Sequence, residues 1–382
     1  MNFQLGLFSP NTESGLAITT VPERWHATWD NNLRLATLAD RAGLDFLLPV
    51  ARWIDWGPDT AFHRSALDPL VWASGLLAAT RRIRVFSTVH TAFHHPVVAA
   101  KQLATLDQLG KGRAGLNIVA GWHAPEYEMF GLSLPSDHDT RYAYAQEWWD
   151  IVQRIWTSTE PFDHDGRFFH LRGVVGAPGP YDGRKVLTMN AGSSQQGRSF
   201  AARNADHAFT VVGGPEDGAD IVKAIKADAE AMGRSVGVFT LGHVVCRPTR
   251  AEAEQRLAYY ADEHADWPAV DEVMRLQGLH AQSFTPEMLS TYRGRFAAGH
   301  GSCPLVGTPD DVAHSLAAFA DAGFDGIALS FLNYTDELPY FATEVLPRLT
   351  ALGIRPTQEP PSPTPGTPPR TRRTSSPTRS ER

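Results

Sequence analysis

The chain repeats one pattern eight times: a short and almost wholly apolar run is followed by a stretch with helical periodicity. Apolar runs of this kind are typical of parallel strands that are buried on both faces. Eight units fit a closed barrel and leave no ninth strand over, so the sequence predicts an α/β fold, a (β/α)8 TIM barrel, with an open doubly wound sheet as the alternative. The predicted strands cover 3–8, 44–48, 83–89, 113–119, 185–191, 207–212, 236–246 and 324–331.

Helix-ending and helix-starting residues support this division. Gly43 stands where a terminal glycine belongs, and Asp68 with Pro69 forms a cap followed by a first-turn proline. The predicted helices cover about 25–42, 67–80, 96–109, 140–156, 195–204 and 216–232, a seventh from 251 onward, and 336–350.

Two insertions interrupt the repeat, and a tail follows it. The insertion at 158–184 contains a predicted hairpin around Asp165 and Gly166. The insertion at 264–305 is long enough to cover the mouth of the barrel, which predicts a lid. Residues 356–382 are rich in Pro, Ser, Thr and Arg and are expected to be disordered, so the barrel domain is predicted to span 1–355.

Composition excludes several classes of function. The net charge is −7 and the basic residues are scattered outside the tail, which argues against a nucleic-acid partner. The two cysteines, Cys246 and Cys303, make no CxxC pair. Without a signal peptide or a long apolar run, the chain is expected to be cytoplasmic and to have no membrane partner. No HExxH motif, GxSxG elbow, P-loop or GxGxxG fingerprint occurs, so no metal and no nicotinamide site are expected.

Active sites of such barrels lie at the carboxyl ends of the strands. The residues there are rich in aromatic, amide and histidine side chains, which suits a flat aromatic cofactor. The segment AGSSQQG at 191–197 leads into a helix, so Gly192, Ser193 and Ser194 are expected to bind a phosphate, although the serines could equally be simple helix caps.

Three segments resemble the bacterial luciferase-like flavin monooxygenases. They are NIVAGWHAPEYEMFG at 117–131, RYAY at 141–144 and NAGSSQQGRSFAARNAD at 190–206. The resemblance covers about 1–355. It is strongest to the pyrimidine oxygenases of uracil catabolism, and dimethylsulfone and alkanesulfonate monooxygenases are also similar.

The resemblance implies an enzyme that uses FMN, delivered as FMNH2 by a separate NAD(P)H:flavin reductase, and O2 as co-substrate. It also implies a small-molecule substrate and a homo-dimer or homo-tetramer. The implied FMN contacts are Ala51, Arg52, Asn117, Glu126, Arg141, Tyr142 and Ser194. The implied oxygen pocket consists of Leu48, Thr88, Asn117 and Trp122. Arg52 stands where the pyrimidine enzymes carry a lysine.

Other interpretations remain open at this point. Leu48, Trp53 and Trp122 either keep the site dry or are ordinary core residues. His90 and His123 are candidate general acids or bases, or hydrogen-bonded structural histidines; for His94 and His95, before Pro96, turn and cap roles are favoured. The alternative functions are an oxidoreductase that uses coenzyme F420 on the same barrel, a non-catalytic flavin-binding protein and, with least support, a metal-dependent hydrolase.

Overall fold

The computed structural model describes residues 3–56, 60–192, 194–277 and 286–356. Its main sheet is parallel and closes on itself, which confirms the predicted TIM barrel. The strands are β1 (Gln4–Phe8), β2 (Phe46–Leu48), β3 (Arg84–His90), β4 (Ala114–Val119), β5 (Phe162–Asp165), β6 (His170–Val174), β7 (Leu187–Asn190), β8 (His207–Phe209), β9 (Gly237–Cys246), β10 (Cys303–Gly307) and β11 (Gly326–Ser330). Around the barrel the order is β9, β11, β1, β2, β3, β4, β7, β8 and back to β9.

A ninth parallel strand corrects the prediction that no strand would be left over. β10 lies within and just beyond the predicted insertion and pairs with the outer half of β9, from Gly242 to Cys246. β8 pairs with this edge of β9 only at 237–239, while β11 pairs with the opposite edge at 239–243. The free edge of the long strand is therefore covered by β10.

Helices surround the barrel, and each predicted helix is present; the described chain also has helices at 124–129, 267–276, 286–299 and 309–321 that were not predicted. They are α1 (Trp29–Ala42), α2 (Pro69–Ala79), α3 (Pro96–Gly110), α4 (Ala124–Met129), α5 (His138–Thr157), α6 (Gln195–Asn204), α7 (Pro215–Glu230), α8 (Arg250–Ala258), α9 (Trp267–Leu276), α10 (Pro286–Gly299), α11 (Pro309–Asp321) and α12 (Tyr334–Ala351). The prediction that the first helix starts near residue 25 is wrong: Thr28 caps α1, and Trp25 is buried with its indole N–H bonded to the Pro10 carbonyl. No helix in the described part of the chain is both long and apolar enough to cross a membrane.

The two insertions differ in kind. Residues 158–184 contain the predicted antiparallel hairpin, β5 with β6. Residues 264–305 are more structured than a loop, because α9 and α10 pack in an apolar cluster with residues of the barrel rim, among them Val245 and Leu332. Residues 278–285 lie outside the described residues, as does the predicted tail beyond Pro356, so its disorder and the domain limit stay predictions.

The interior of the barrel is filled by side chains, not by a channel. Phe46 contacts Phe86 and Phe239 edge to face, with ring centroids 5.9 and 5.7 Å apart. Leu48 and Met189 belong to the same buried cluster. Because the core is closed by these side chains, a ligand site must lie above them, at the carboxyl ends of the strands.

Candidate active site

Thr88 and Asn117 face the barrel interior on neighbouring strands, in register with each other. The Asn117 amide Nδ2 donates to Thr88 Oγ1 at 3.2 Å, and the Thr88 hydroxyl donates to the Pro49 carbonyl at 2.6 Å. Asn117 Oδ1 is buried and has no hydrogen-bond partner among the described residues. The structure thus brings these two predicted residues together, above buried Leu48, and leaves one amide oxygen available to a ligand.

Arg52 and Glu126, both predicted FMN contacts, form a buried ion pair. Arg52 Nη1 lies 3.2 Å from Glu126 Oε1, and the side chains are 6% and 1% exposed. The same carboxylate oxygen accepts from the Trp53 backbone N–H at 2.9 Å, and its second oxygen lies 3.9 Å from His123 Nδ1. Burial opposes ionisation of Glu126, but His123, Arg52 and the Trp53 N–H outweigh it and hold the pKa of this carboxyl below its ordinary value.

Two tryptophans flank the Arg52 guanidinium. Its central carbon lies 4.5 Å from the Trp56 ring centroid and 5.4 Å from that of Trp122. Trp122 is 38% exposed, so a role in keeping water out of the site rests more on its neighbours Trp56 and His123. The short helix α4, which the sequence analysis missed, carries Glu126 to this position.

His90 is buried and faces the same mouth. Its ring stacks on Phe93 with centroids 5.1 Å apart, and Nδ1 has no hydrogen-bond partner within the described structure. Burial lowers the pKa of His90 to about 4, so the imidazole is neutral near pH 7. His95, in contrast, caps α3, as predicted, and accepts from the Val97 N–H.

Arg141 and Tyr142, at the start of α5, border a second region of the mouth. The Arg141 guanidinium is buried and donates to the Gly121 carbonyl at 3.2 Å. Gly121 has a φ of 103°, and a Cβ there would lie 1.9 Å from the Tyr127 hydroxyl, so only glycine fits this turn. Arg141 is thereby fixed beside the 121–126 segment that carries the Glu126 ion pair.

The predicted phosphate segment begins α6. Ser194 caps the helix by accepting from the Gly197 N–H at 3.1 Å, and its side chain also hydrogen-bonds Tyr142. A Cβ on Gly192 would lie 2.4 Å from the Tyr142 hydroxyl and 2.5 Å from Gly197 Cα. This close approach leaves helix N–H groups at the start of α6 facing a compact glycine turn, which suits a phosphate. Ser193 lies outside the described residues, and Ala51 is buried after β2.

Two further histidines of the mouth, His63 and His243, were not predicted from the sequence. His63 accepts from Trp56 Nε1 at 3.3 Å and bonds the Gly15 carbonyl at 2.8 Å, so both ring nitrogens are satisfied. His243, on β9, is 2% exposed and has one nitrogen without a partner in the described chain. The alternation Phe239, Leu241, His243 along β9 is the signal that could have placed it inside the barrel.

Comparison with known proteins decides the family. A model described as luciferase-like monooxygenase matches residues 3–326. The chain belongs to this family. The membership confirms the predicted resemblance and, with it, the prediction of a flavin-dependent monooxygenase of the luciferase-like class.

Relatives of this luciferase-like protein agree over most of its length. The FMNH2-dependent dimethylsulfone monooxygenase of Pseudomonas fluorescens is 32% identical, over 90% of this chain and 93% of the relative. The pyrimidine monooxygenase of Acinetobacter baylyi is 28% identical, over 91% and 95%. Among solved structures, a riboflavin lyase shares the fold with a TM-score of 0.84 at 24% identity, covering 94% of each chain.

The residues of this luciferase-like site fit FMN. Buried polar atoms without a hydrogen-bond partner in the described residues include donors at Arg52 Nε and Trp53 Nε1 and acceptors at Asn117 Oδ1 and Glu126 Oε2, the last of which has only the longer contact with His123. A flavin ring edge carries both N–H and carbonyl groups, and would satisfy donors and acceptors together. The turn at Gly192 and Ser194 would hold its phosphate. In the described part of the chain no group of three His, Cys, Asp or Glu residues could hold a metal ion.

Proposed function

We propose that this protein is the oxygenase component of a two-component monooxygenase that uses FMNH2 and O2 to oxygenate a small organic molecule. The observation that carries the proposal is the set of buried donors and acceptors without hydrogen-bond partners in the described residues at the mouth of a luciferase-like barrel, among them Asn117 Oδ1. Such groups are costly to leave unpaired, and their concentration at the carboxyl end of the barrel points to a polar, planar ligand.

The residues have separable roles. Asn117 and Thr88 contact the flavin edge and border the site where O2 reacts, and the apolar side chain of Leu48 lies below them. Arg52 and Glu126 border the ring, Arg141 and Tyr142 support its far side, and Ser194 with Gly192 and Ser193 receives the phosphate. Ala51 contacts the flavin, Trp53 and Trp56 limit access of water, and the more exposed Trp122 borders the O2 site, while His90 and His123 face the substrate. Bound FMNH2 supplies the electrons with which O2 is activated.

Two features favour a separate reductase as partner. The chain has no GxGxxG fingerprint, and its relatives include an enzyme named as FMNH2-dependent. We infer that a NAD(P)H:flavin reductase delivers reduced FMN to this protein, in the cytoplasm. We expect the substrate to be a nitrogen heterocycle, an amide, a sulfone or a sulfonate. The names of the relatives, a pyrimidine monooxygenase and a dimethylsulfone monooxygenase, support this range.

A homo-dimer or homo-tetramer is part of the proposal. Val71 on α2 and Val98 on α3 are 72% and 52% exposed, and the two helices pack side by side. Exposed apolar side chains on adjacent helices favour contact with a second copy of the chain. Light scattering of the wild type and of a Val71→Glu, Val98→Glu variant tests this: the variant is expected to be a monomer.

A reductase-coupled assay tests the function. The protein is mixed with FMN, NADH and a separate flavin reductase, and the conversion of candidate substrates into oxygenated products is followed, with Asn117→Ala as the site variant. Product formation that requires this protein and is lost in Asn117→Ala supports the proposal, whereas O2 uptake alone does not, because free FMNH2 also consumes O2. NADH oxidation by this protein alone, at the rate of product formation, contradicts the need for a reductase. Oxidation of reduced F420 without O2 uptake would favour the F420 alternative instead.

A further inference from the structure

Two of the buried histidines at the mouth of the barrel, His90 and His243, lie on opposite walls. His90 ends β3, and His243 lies on β9, four strands away in either direction around the eight-stranded ring. His90 lies on the inward face of β3 together with Phe86, and His243 lies on the inward face of β9 together with Phe239 and Leu241. Phe86, Phe239 and Leu241 belong to the cluster that fills the barrel. Both imidazoles therefore face the space above this cluster, where we place the reaction.

Each of these histidines has a buried ring nitrogen for which the described residues offer no hydrogen-bond partner. The unpaired atoms are Nδ1 of His90 and Nε2 of His243, and the residues are 3% and 2% exposed. Burial, with a smaller effect of the Arg295 charge, lowers the pKa of His243 to about 4, so its ring is neutral near pH 7 and carries one proton. A neutral imidazole has one donor and one acceptor, and the nitrogen that carries the proton depends on the partner of the other.

Ser302 determines which nitrogen of His243 carries the proton. Its hydroxyl lies 2.9 Å from His243 Nδ1, Ser302 is completely buried, and no other partner of this hydroxyl is found in the described residues. A buried hydroxyl needs an acceptor for its proton, and Nδ1 is the one in reach. Ser302 Oγ therefore donates to Nδ1, and the ring proton lies on Nε2, which points away from Ser302.

The fold of the insertion at 264–305 positions Ser302 next to His243. After α10 the chain turns through His300 and Gly301, with φ of 54° and 80°, and the Ser302 N–H closes the turn on the Gly299 carbonyl. A Cβ on Gly299 would lie 2.7 Å from the Cβ of His243, so the turn presses directly against that residue. Backbone in this left-handed region is costly for a non-glycine residue such as His300 and is concentrated at functional sites.

We propose that His243 is a substrate-contacting residue whose Nε2–H donates a hydrogen bond to an oxygen of the substrate, and that Ser302 is the positioning residue that fixes this tautomer. The inference rests on the proposed function. It deepens that function by naming the chemistry recognised: a substrate with a carbonyl or sulfur-bound oxygen that accepts a hydrogen bond at the β9 wall. Folding of the insertion against β9 thus completes the substrate side of the mouth.

The tautomer can be measured without turnover. ¹⁵N-labelled histidine in the full-length protein gives separate NMR signals for protonated and bare ring nitrogens, and His243→Gln, or His243→Asn if that variant does not fold, identifies the His243 pair. The wild type is expected to show a protonated Nε2 and a bare Nδ1, and Ser302→Ala a mixture of tautomers. Ser315→Ala removes the same hydroxyl from α11, where it bonds the Asp311 carbonyl, and should change nothing at His243. A bare Nε2 in the wild type, or an unchanged pattern in Ser302→Ala, overturns the assignment.

The substrate contact needs probes. With FMN bound, uracil and dimethyl sulfone offer acceptor oxygens, and benzene is a flat control without one. A shift of the His243 Nε2 signal with either oxygen-bearing probe, and none with benzene, supports the contact; no shift with both, or an equal shift with benzene, overturns it. For the probe that shifts the signal, Ser302→Ala is expected to raise KM about tenfold with kcat within about twofold. If His243 Nε2 is protonated but the protein never forms an oxygenated product, the role of Ser302 in fixing the tautomer is supported and only the proposed function is refuted.

Discussion

The Arg52 guanidinium lies 3.2 Å from the Glu126 carboxylate, with neither side chain more than 6% exposed. Removing one member of a buried ion pair leaves a charge without compensation, at a cost of about 3–5 kcal/mol. Glu126→Gln is therefore expected to lower the free energy of unfolding by that amount in urea titrations and to weaken FMN binding. Glu272→Gln, whose partner Arg275 is largely exposed, is the control and should leave stability unchanged. Equal losses in both variants would show that the buried pair has no special importance.

Loss of the Thr88–Asn117 hydrogen bond is expected to divert FMNH2 oxidation from substrate oxygenation to hydrogen peroxide. Thr88→Val keeps the shape of the side chain but leaves the buried Asn117 amide without its acceptor, a loss of about 1–3 kcal/mol. We expect about a tenfold shorter lifetime of any oxygen-derived flavin absorbance, and more hydrogen peroxide per FMNH2 consumed. Thr105→Val, on the exposed face of α3, makes the same chemical change and should match the wild type. Peroxide yields that do not differ between the two variants would refute the role of Asn117.

The start of α6 predicts a steric effect on cofactor binding. A methyl group at Gly192 would lie 2.4 Å from the Tyr142 hydroxyl and 2.5 Å from Gly197 Cα, so Gly192→Ala must displace the start of the helix. The Kd for FMN, measured by fluorescence quenching, is expected to rise at least about tenfold. Gly294→Ala serves as control, since no atom of the described residues lies within 4 Å of a Cβ there. An unchanged Kd in Gly192→Ala would show that the FMN phosphate does not bind at this turn.

Buried histidines predict a fall in stability below neutral pH. Burial lowers the pKa of His90, His207 and His243 from 6.5 to about 4. Between these values the unfolded chain binds protons that the folded protein does not, so stability is full above about pH 6.5 and is lost as the pH falls towards 4. The slope is about 1.4 kcal/mol per pH unit for each histidine. His207→Gln should reduce this slope in urea titrations at pH 7, 6 and 5; the same slope as the wild type would show that His207 titrates normally.

Local signals in the sequence predicted most of the barrel. Alternating apolar runs and helix caps such as Asp68 depend on neighbours within a few positions, and the structure confirms them. The strand β10 could not be predicted in this way, because its place depends on how far β9 extends beyond its barrel neighbours.

The site shows the same division between local and distant signals. The family resemblance implied that Thr88 and Asn117 belong to one pocket, and the strand register places them side by side. The partners that define the chemistry are far apart in the chain: Arg52 and Glu126 are 74 positions apart, and His243 and Ser302 are 59 apart. No local pattern encodes such contacts, so these pairings had to come from the three-dimensional structure.

One measurement tests the central claim, that this luciferase-like barrel activates O2 with FMNH2. The protein is titrated anaerobically with reduced FMN, mixed with oxygenated buffer in a stopped-flow instrument, and followed by absorbance. The account predicts saturable binding and a long-lived absorbance distinct from that of oxidised FMN, with little hydrogen peroxide during its lifetime. Failure to bind, or immediate reoxidation with one hydrogen peroxide per flavin, would contradict it.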